Sequence, residues 1–291
     1  MLEGVVTKAY GGFYYVRAGE QVLECRLRGK FRLQRLNALP GDMVKIADLG
    51  KGKGVVEEIL PRKNELLRPP IANVEQVLLV FAGHDPEPDL SLLDRLLILA
   101  ETQGLQPLVC FNKCDLLTRE EREGLAGIYR QTGYPVEVIS AREGIGLDNI
   151  RLALKDRISV IAGPSGAGKS TLLNGIEPGL SLKTGEVSEK IGRGRHTTRH
   201  VELLQLSLGG LVADTPGFSS LYLPEMQRED LAHYFPEFAP YREQCRFIGC
   251  LHDREPDCGV KEALEEGKIA RERYANYLAF LAEVKEKERR Y

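Results

Sequence analysis

Along the chain the spacing of apolar residues changes character twice. Up to residue 68, apolar and polar positions alternate in short runs, at 5–6, 13–16, 21–27, 43–46 and 54–59, each broken off by Gly, Pro or Asp. A period of two buries one face of a strand, so about five short strands are expected, and that many in so short a stretch predict a small closed barrel of the oligonucleotide-binding (OB) kind. From Asn73 the period lengthens. Runs at 77–81, 107–111, 136–139 and 158–162, apolar apart from Glu137 and Ser159, read as buried strands. Between them, 90–103, 119–132 and 147–154 repeat their apolar residues at helical spacing, with Leu92, Leu93, Leu96, Leu97 and Leu99 the clearest set. Such alternation predicts a parallel sheet with helices on both faces, an α/β unit. Strands at 201–208 and 211–213 follow, and helical stretches at 260–266 and 269–290 close the chain, the last highly charged. The segment from Arg62-Lys63-Asn64 to Arg68-Pro69-Pro70 reads as a linker, because two prolines continue neither neighbour. These breaks divide the chain into 1–68, 69–222 and 223–291.

The ends of the buried strands carry the chemistry. After the strand at 158–162 comes Gly163-Pro164-Ser165-Gly166-Ala167-Gly168-Lys169-Ser170, which fits G-x-x-x-x-G-K-[ST], with Thr171 continuing into a helix. Glycines let backbone N–H groups turn inward around phosphates, and the helix start adds partial positive charge. Lys169 is expected at the β- and γ-phosphates and Ser170 at Mg²⁺. Asn112-Lys113-Cys114-Asp115 follows the strand at 107–111 and fits N-K-x-D. A carboxylate at Asp115 can accept from both N1–H and the exocyclic amine of guanine; adenine offers neither and would leave it unpaired. The stem of Lys113 can cover the base and Asn112 can tie its loop to the phosphate loop. Ser140-Ala141 is similar to the short loop that touches a guanine base through backbone N–H, although Arg142 stands where Lys is usual. Residues 185–200 are rich in Gly and Arg and predict a mobile loop where a first switch belongs. A Thr there would bind Mg²⁺ when γ-phosphate is present, Thr198 being favoured over Thr197. Asp214-Thr215-Pro216-Gly217 fits D-x-x-G, with Asp214 holding Mg²⁺ through water and the Gly217 N–H sensing γ-phosphate. The usual GTPase order starts at the phosphate loop; here N-K-x-D and Ser140-Ala141 come first. The sequence is that of a circularly permuted GTPase binding GTP or GDP with Mg²⁺.

Downstream lie Cys245, Cys250, His252 and Cys258, close together among turn-forming residues. Their chemistry suits one tetrahedral Zn²⁺, the alternative being separate buried thiols. Cys25, Cys110 and Cys114 have no neighbouring partner and read as structural. The net charge of −2 over 291 residues hides an asymmetry. Residues 1–68 hold 13 Lys+Arg against 8 Asp+Glu, net +5, which leaves 27 against 34, net −7, for the rest. A basic barrel bearing Arg26, Arg28, Lys30, Arg32 and Arg35 invites a polyanion. Tyr10, Phe13, Tyr14, Tyr15 and Phe31 either stack on bases or fill the barrel. No apolar run is long enough for a membrane span and no basic stretch followed by an apolar core opens the chain, so a cytoplasmic protein is expected. No long heptad or apolar patch argues against a monomer.

The permuted order, the small barrel and the Cys/His cluster together resemble one family over essentially the whole chain: the bacterial ribosome small subunit-dependent GTPases, RsgA (YjeQ/YloQ). The resemblance implies an OB barrel, a permuted GTPase domain and a zinc-binding, mostly helical C-terminal domain. It also implies GTP hydrolysis stimulated by the small ribosomal subunit during that subunit's late maturation, with ribosomal RNA as a contact. Cys245, Cys250, His252 and Cys258 look like the family's zinc ligands. Phe218 stands where Ras-like proteins carry the Gln that orients the attacking water. Phenylalanine cannot do this, so slow intrinsic hydrolysis is expected, with His196 positioning the water once the complex forms. Two other readings remain at this level: an RNA binder whose affinity GTP sets, and a GTPase with a non-ribosomal partner.

Overall fold

The computed structural model describes residues 1–33, 36–67, 69–180, 201–214 and 222–289. The first strands, β1 (Leu2–Tyr10), β2 (Phe13–Ala18), β3 (Gln21–Leu27), β4 (Met43–Gly50) and β5 (Lys53–Ile59), close into a barrel in the order β1-β2-β3-β5-β4. The short helix α1 (Gly29–Leu33) lies between β3 and β4. β3 and β5 run parallel; β4 returns antiparallel to β1 and completes the ring. Alternation works as expected: Val6, Val16, Leu23, Val44, Ile46 and Val56 point inward and are buried. The aromatics divide. Tyr14 and Phe31 fill the barrel, Tyr10 is exposed, and Phe13 lies under the Arg26 guanidinium at 4.6 Å. Cys25, also inside, has its thiol pushed up to about 11, mainly by burial.

The segment read as a linker is built differently. β6 (Glu65–Leu67) and β7 (Pro70–Ala72) form a hairpin, and Leu66 and Ile71 are buried in the core of the following sheet. Pro70 is the first residue of its strand, where a missing N–H removes little. Arg62 is half-buried rather than loose. Its Nε and Nη2 grip the two oxygens of buried Asp42 at 2.7 and 2.8 Å, and Nη2 also donates to the Asn37 carbonyl. Pro70 therefore opens a strand, and Arg62 ties this hairpin to the end of the barrel by pairing with both Glu65 and Asp42. Arg35 and Arg68 lie outside the described residues.

A six-stranded sheet follows, in the order β10-β9-β8-β11-β13-β12. Its elements are β8 (Gln76–Ala82), α2 (Leu90–Thr102), β9 (Gln106–Asn112), α3 (Arg119–Arg130), β10 (Val136–Val138), α4 (Leu147–Leu154), β11 (Ile158–Ala162), α5 (Lys169–Ile176), β12 (Leu204–Gln205) and β13 (Leu211–Asp214). All pairs are parallel except β12 with β13. Every residue of β8 is buried, which is why its sequence after Gln76 is continuously apolar rather than alternating. Cys110 and Cys114 sit in this interior, as their lack of partners suggested. One strand is shorter than its pattern. The run at 201–208 yields only Leu204–Gln205, because the Leu203 N–H donates to Thr7 of β1 at 2.8 Å and Glu202 bridges Lys8. The sheet edge thus leans on the barrel.

The C-terminal region is mostly helical, with α6 (Ala239–Arg242), α7 (Gly259–Glu265) and α8 (Arg271–Glu288) around Phe235, Phe238, Tyr277 and Phe280. Its joint with the sheet region is ionic and dry. Arg273, 1 % exposed, donates from Nε to Glu237 at 2.7 Å and from Nη1 to Asp94 of α2 at 2.7 Å. Asp94 also accepts from the Tyr129 hydroxyl and Asn276. Burial still holds the Asp94 carboxyl above the usual range, against the pull of Arg273. Among the described residues no helix is long and apolar enough to cross a membrane.

Candidate nucleotide site and cysteine–histidine cluster

The C-terminal ends of β8, β9, β11 and β13 lie side by side, the place where an open parallel sheet offers a crevice. β11 runs directly into Gly163, whose φ of +138° only glycine takes comfortably, and where a Cβ would lie 2.0 Å from the Val80 carbonyl oxygen. At the other end of the loop Gly168 has φ +86°, and a Cβ there would meet Asn112 Nδ2 at 2.3 Å. Between them Pro164 is half-buried, Ser165 and Gly166 are exposed and Ala167 is buried. α5 starts at Lys169, with Ser170 and Thr171 half-buried in its first turn. Lys169 Nζ donates to the carbonyls of Gly163 and Pro164 at 2.9 and 2.7 Å. The loop turns as anion chemistry requires, and its own lysine bonds its rim.

Asn112, at the end of β9 and 2 % exposed, joins three loops that are far apart in the chain. Its Nδ2 donates to Ala167 O and its Oδ1 accepts from the Ala141 N–H, both at 2.9 Å. The Ala141 N–H, expected to face a base, is thus engaged with Asn112. Lys113 is left-handed, at φ +63°, and its ammonium donates to the Asp85 carbonyl. Asp115 follows on an exposed turn, and the buried Ser140 Oγ accepts from the Glu143 N–H at 3.2 Å. Asp214 ends β13 beside Ile161. The expectations for His196, Thr197, Thr198, Gly217 and Phe218 fall outside the described residues.

The cysteines and the histidine come together as their spacing suggested. The ligand atoms of Cys245, Cys250, His252 and Cys258 all lie within 4.8 Å of one another. His252 Nδ1 is 3.5 Å from Cys245 Sγ and 3.4 Å from Cys258 Sγ, and the two sulfurs are 3.8 Å apart. Tyr274 and Tyr277, both on α8, donate to the carbonyls of His252 and Leu251 at 2.7 Å and fix the turn. Burial lowers His252 to about 4, so its imidazole is neutral and able to ligate at ordinary pH; it raises Cys250 to about 12 and Cys258 as well. Three sulfurs and one nitrogen converging in this way fit a tetrahedral Zn²⁺, whose charge would displace the thiol protons.

Sequence reasoning missed three contributors: the loop that receives the Lys113 ammonium, the Arg273 joint, and the tie between Lys8 and Glu202. None lies in a motif, and each depends on a partner distant along the chain.

Comparison with known proteins agrees with this geometry. The RsgA GTPase family profile matches residues 59–224, and that of the RsgA N-terminal domain matches residues 3–56. A protein of Moorella thermoacetica named small ribosomal subunit biogenesis GTPase RsgA is 53% identical over 290 residues, covering 100% of both chains. The same-named protein of Geobacillus kaustophilus is 50% identical, again with 100% of both covered. Among solved structures, YjeQ from Thermotoga maritima superposes with a TM-score of 0.84 at 40% identity, covering 97% of this chain and 98% of that one. YloQ, described as a circularly permuted GTPase, gives 0.82 at 40% identity, covering 99% and 96%.

Proposed function

The chain belongs to the RsgA GTPase family, and from that premise we propose that it is a GTP hydrolase acting in late maturation of the small ribosomal subunit. On this reading the subunit stimulates hydrolysis, and hydrolysis releases the protein. The observation that carries the nucleotide assignment is Asn112, whose one amide holds the phosphate loop to the Ser140-Ala141 loop and so fixes the distance between phosphate and base recognition. The names of the relatives support the ribosomal partner, and the exposed Arg26, Arg28 and Lys30 of the barrel support a contact with ribosomal RNA.

The residues divide the work as follows. Backbone N–H groups from Gly163 to Ser170 cradle the phosphates at the α5 N-terminus. Lys169 exchanges its carbonyl partners for the β- and γ-phosphates, a stronger charge-assisted contact. Asp115 accepts from the guanine edge while the Lys113 stem covers its face. Ser170, Thr198 and Asp214 hold Mg²⁺, which neutralises charge on the phosphates when bound. Gly217 senses the γ-phosphate through its N–H, and His196 orients the attacking water, a task Phe218 cannot perform. Cys245, Cys250, His252 and Cys258 hold one structural Zn²⁺. The protein works as a cytoplasmic monomer.

GTP turnover by the purified protein, alone and with small subunits, tests this, with large subunits as control and His196→Ala as a second arm. A large rise with small subunits only, lost in His196→Ala, is expected. No rise overturns the ribosomal reading, and an intact rise in His196→Ala removes that side chain from the mechanism.

A further inference from the structure

The loop between β8 and α2, residues 83–89, belongs to none of the nucleotide motifs and touches two of them. It leaves the sheet hard against the Asn112–Asp115 turn. The Gly83 N–H donates to Asn112 O at 2.7 Å, and a Cβ on Gly83 would stand 2.6 Å from Leu117 Cδ1. Next, the Asp85 carbonyl accepts the Lys113 ammonium. Pro86 comes next along the loop and stands beside the phosphate loop: a Cβ built on Gly166 would lie 3.4 Å from Pro86 Cδ. The far end is anchored by Asp89, which caps α2 by accepting from the Leu92 N–H at 2.9 Å. His84 and Glu87 pair across the loop at 2.6 Å.

We propose that this loop is a clasp on the nucleotide, in which Asp85 and Pro86 are positioning residues. The inference rests on the assignment of the pocket to a guanine nucleotide. A lysine side chain is long and loses much rotamer freedom when fixed, so an unanchored Lys113 would cover a base only part of the time. The Asp85 carbonyl holds the ammonium and removes that cost before the nucleotide arrives. Pro86, beside Gly166, bounds the space on that side of the phosphate loop. One loop therefore joins base cover to phosphate cradle, and it acts on how long a nucleotide stays rather than on how fast it enters. Because the acceptor at position 85 is a backbone carbonyl, the contact is set by the path of the loop, and Pro86, whose ring fixes its own φ, directly follows that carbonyl.

The test is stopped-flow binding of N-methylanthraniloyl-GDP to the full chain. Pro86→Gly should release it about tenfold faster, the order expected when one long side chain loses its anchor, with association altered less than about twofold. If the clasp works through Lys113, the effect should be largely absent when Pro86→Gly is made in a Lys113→Met background, whereas a merely structural loop would give additive changes. Pro86→Ala, which keeps a Cβ and a stiffer backbone, replaces the glycine variant if that chain does not fold. Unchanged release in the single variant, or full additivity in the pair, overturns the clasp. Failure of the unaltered protein to bind the nucleotide would instead overturn the assignment on which it rests.

Discussion

The nucleotide loops and the cysteine–histidine cluster are both sets of converging polar side chains, yet they are held in opposite ways. Around the nucleotide loops, Asn112, Lys113, Ser140 and Lys169 each have a protein partner, most of them backbone groups. In the cluster the donors face one another, sulfur on sulfur at 3.8 Å and sulfur on imidazole nitrogen at 3.4 to 3.5 Å. In the first arrangement these described side chains are already bonded to the protein, so a ligand there would have to exchange partners with them. The second is cohesive only while the thiols keep their protons or a cation sits among them. One site belongs to the fold; the other makes part of it.

Removing the metal should separate the two most strongly. Chelation at neutral pH is expected to cost the C-terminal region several kcal/mol, with an upper bound on the order of 10 kcal/mol, and to abolish its cooperative unfolding while the barrel still melts as a unit. Metal analysis of the purified protein should find about one Zn²⁺ per chain. A metal-free protein of unchanged melting temperature would erase the contrast. Arg273→Met comes next. It strands the buried Asp94 and Glu237 carboxylates, a loss of about 3–5 kcal/mol in denaturant titration. It should also uncouple the regions, so that chelation no longer changes exchange protection in α2; a loss below about 1 kcal/mol would mean the joint is not where the regions are held. Asp115→Asn is the smallest in stability, because the residue is exposed on its turn. Here the melting temperature should hold, GTP affinity should fall about 10–100-fold, and xanthosine triphosphate should bind in its place. Unchanged GTP affinity would refute the reading of the base.

What could be read from the chain follows from how local each interaction is. The Gly163–Ser170 loop is legible because wrapping a backbone around a phosphate restricts side chains at a fixed short spacing. β8 and β11 are legible because burial on both faces leaves each a single polar position, Gln76 and Ser159, and these two bond each other at 2.8 Å. The Asn112 bridge could be anticipated only by pairing two motifs, since its partner lies 55 residues away. Pro69-Pro70 read as a linker because a proline opening a strand and a proline ending an element look alike in one dimension. The run at 201–208 looks like a full strand, but its backbone is shared between sheet edge and barrel. Arg273 could not be read at all: it begins a strongly charged helix, and nothing near it reveals that this one cation is buried.

The distance between Arg273 and Asp94 along the chain has a consequence in time. They are 179 residues apart, and a polypeptide emerges at about 5–20 residues per second, so Asp94 exists for roughly ten to forty seconds before its counter-charge is made. During that interval α2 can dock on the sheet through its leucines, but its outer side carries a carboxylate that cannot be buried. The nucleotide-binding unit reaches its final packing only when the last helix arrives. A chain cut short before Arg273 is therefore not a GTPase lacking an appendage; it is one whose second helix was never finished.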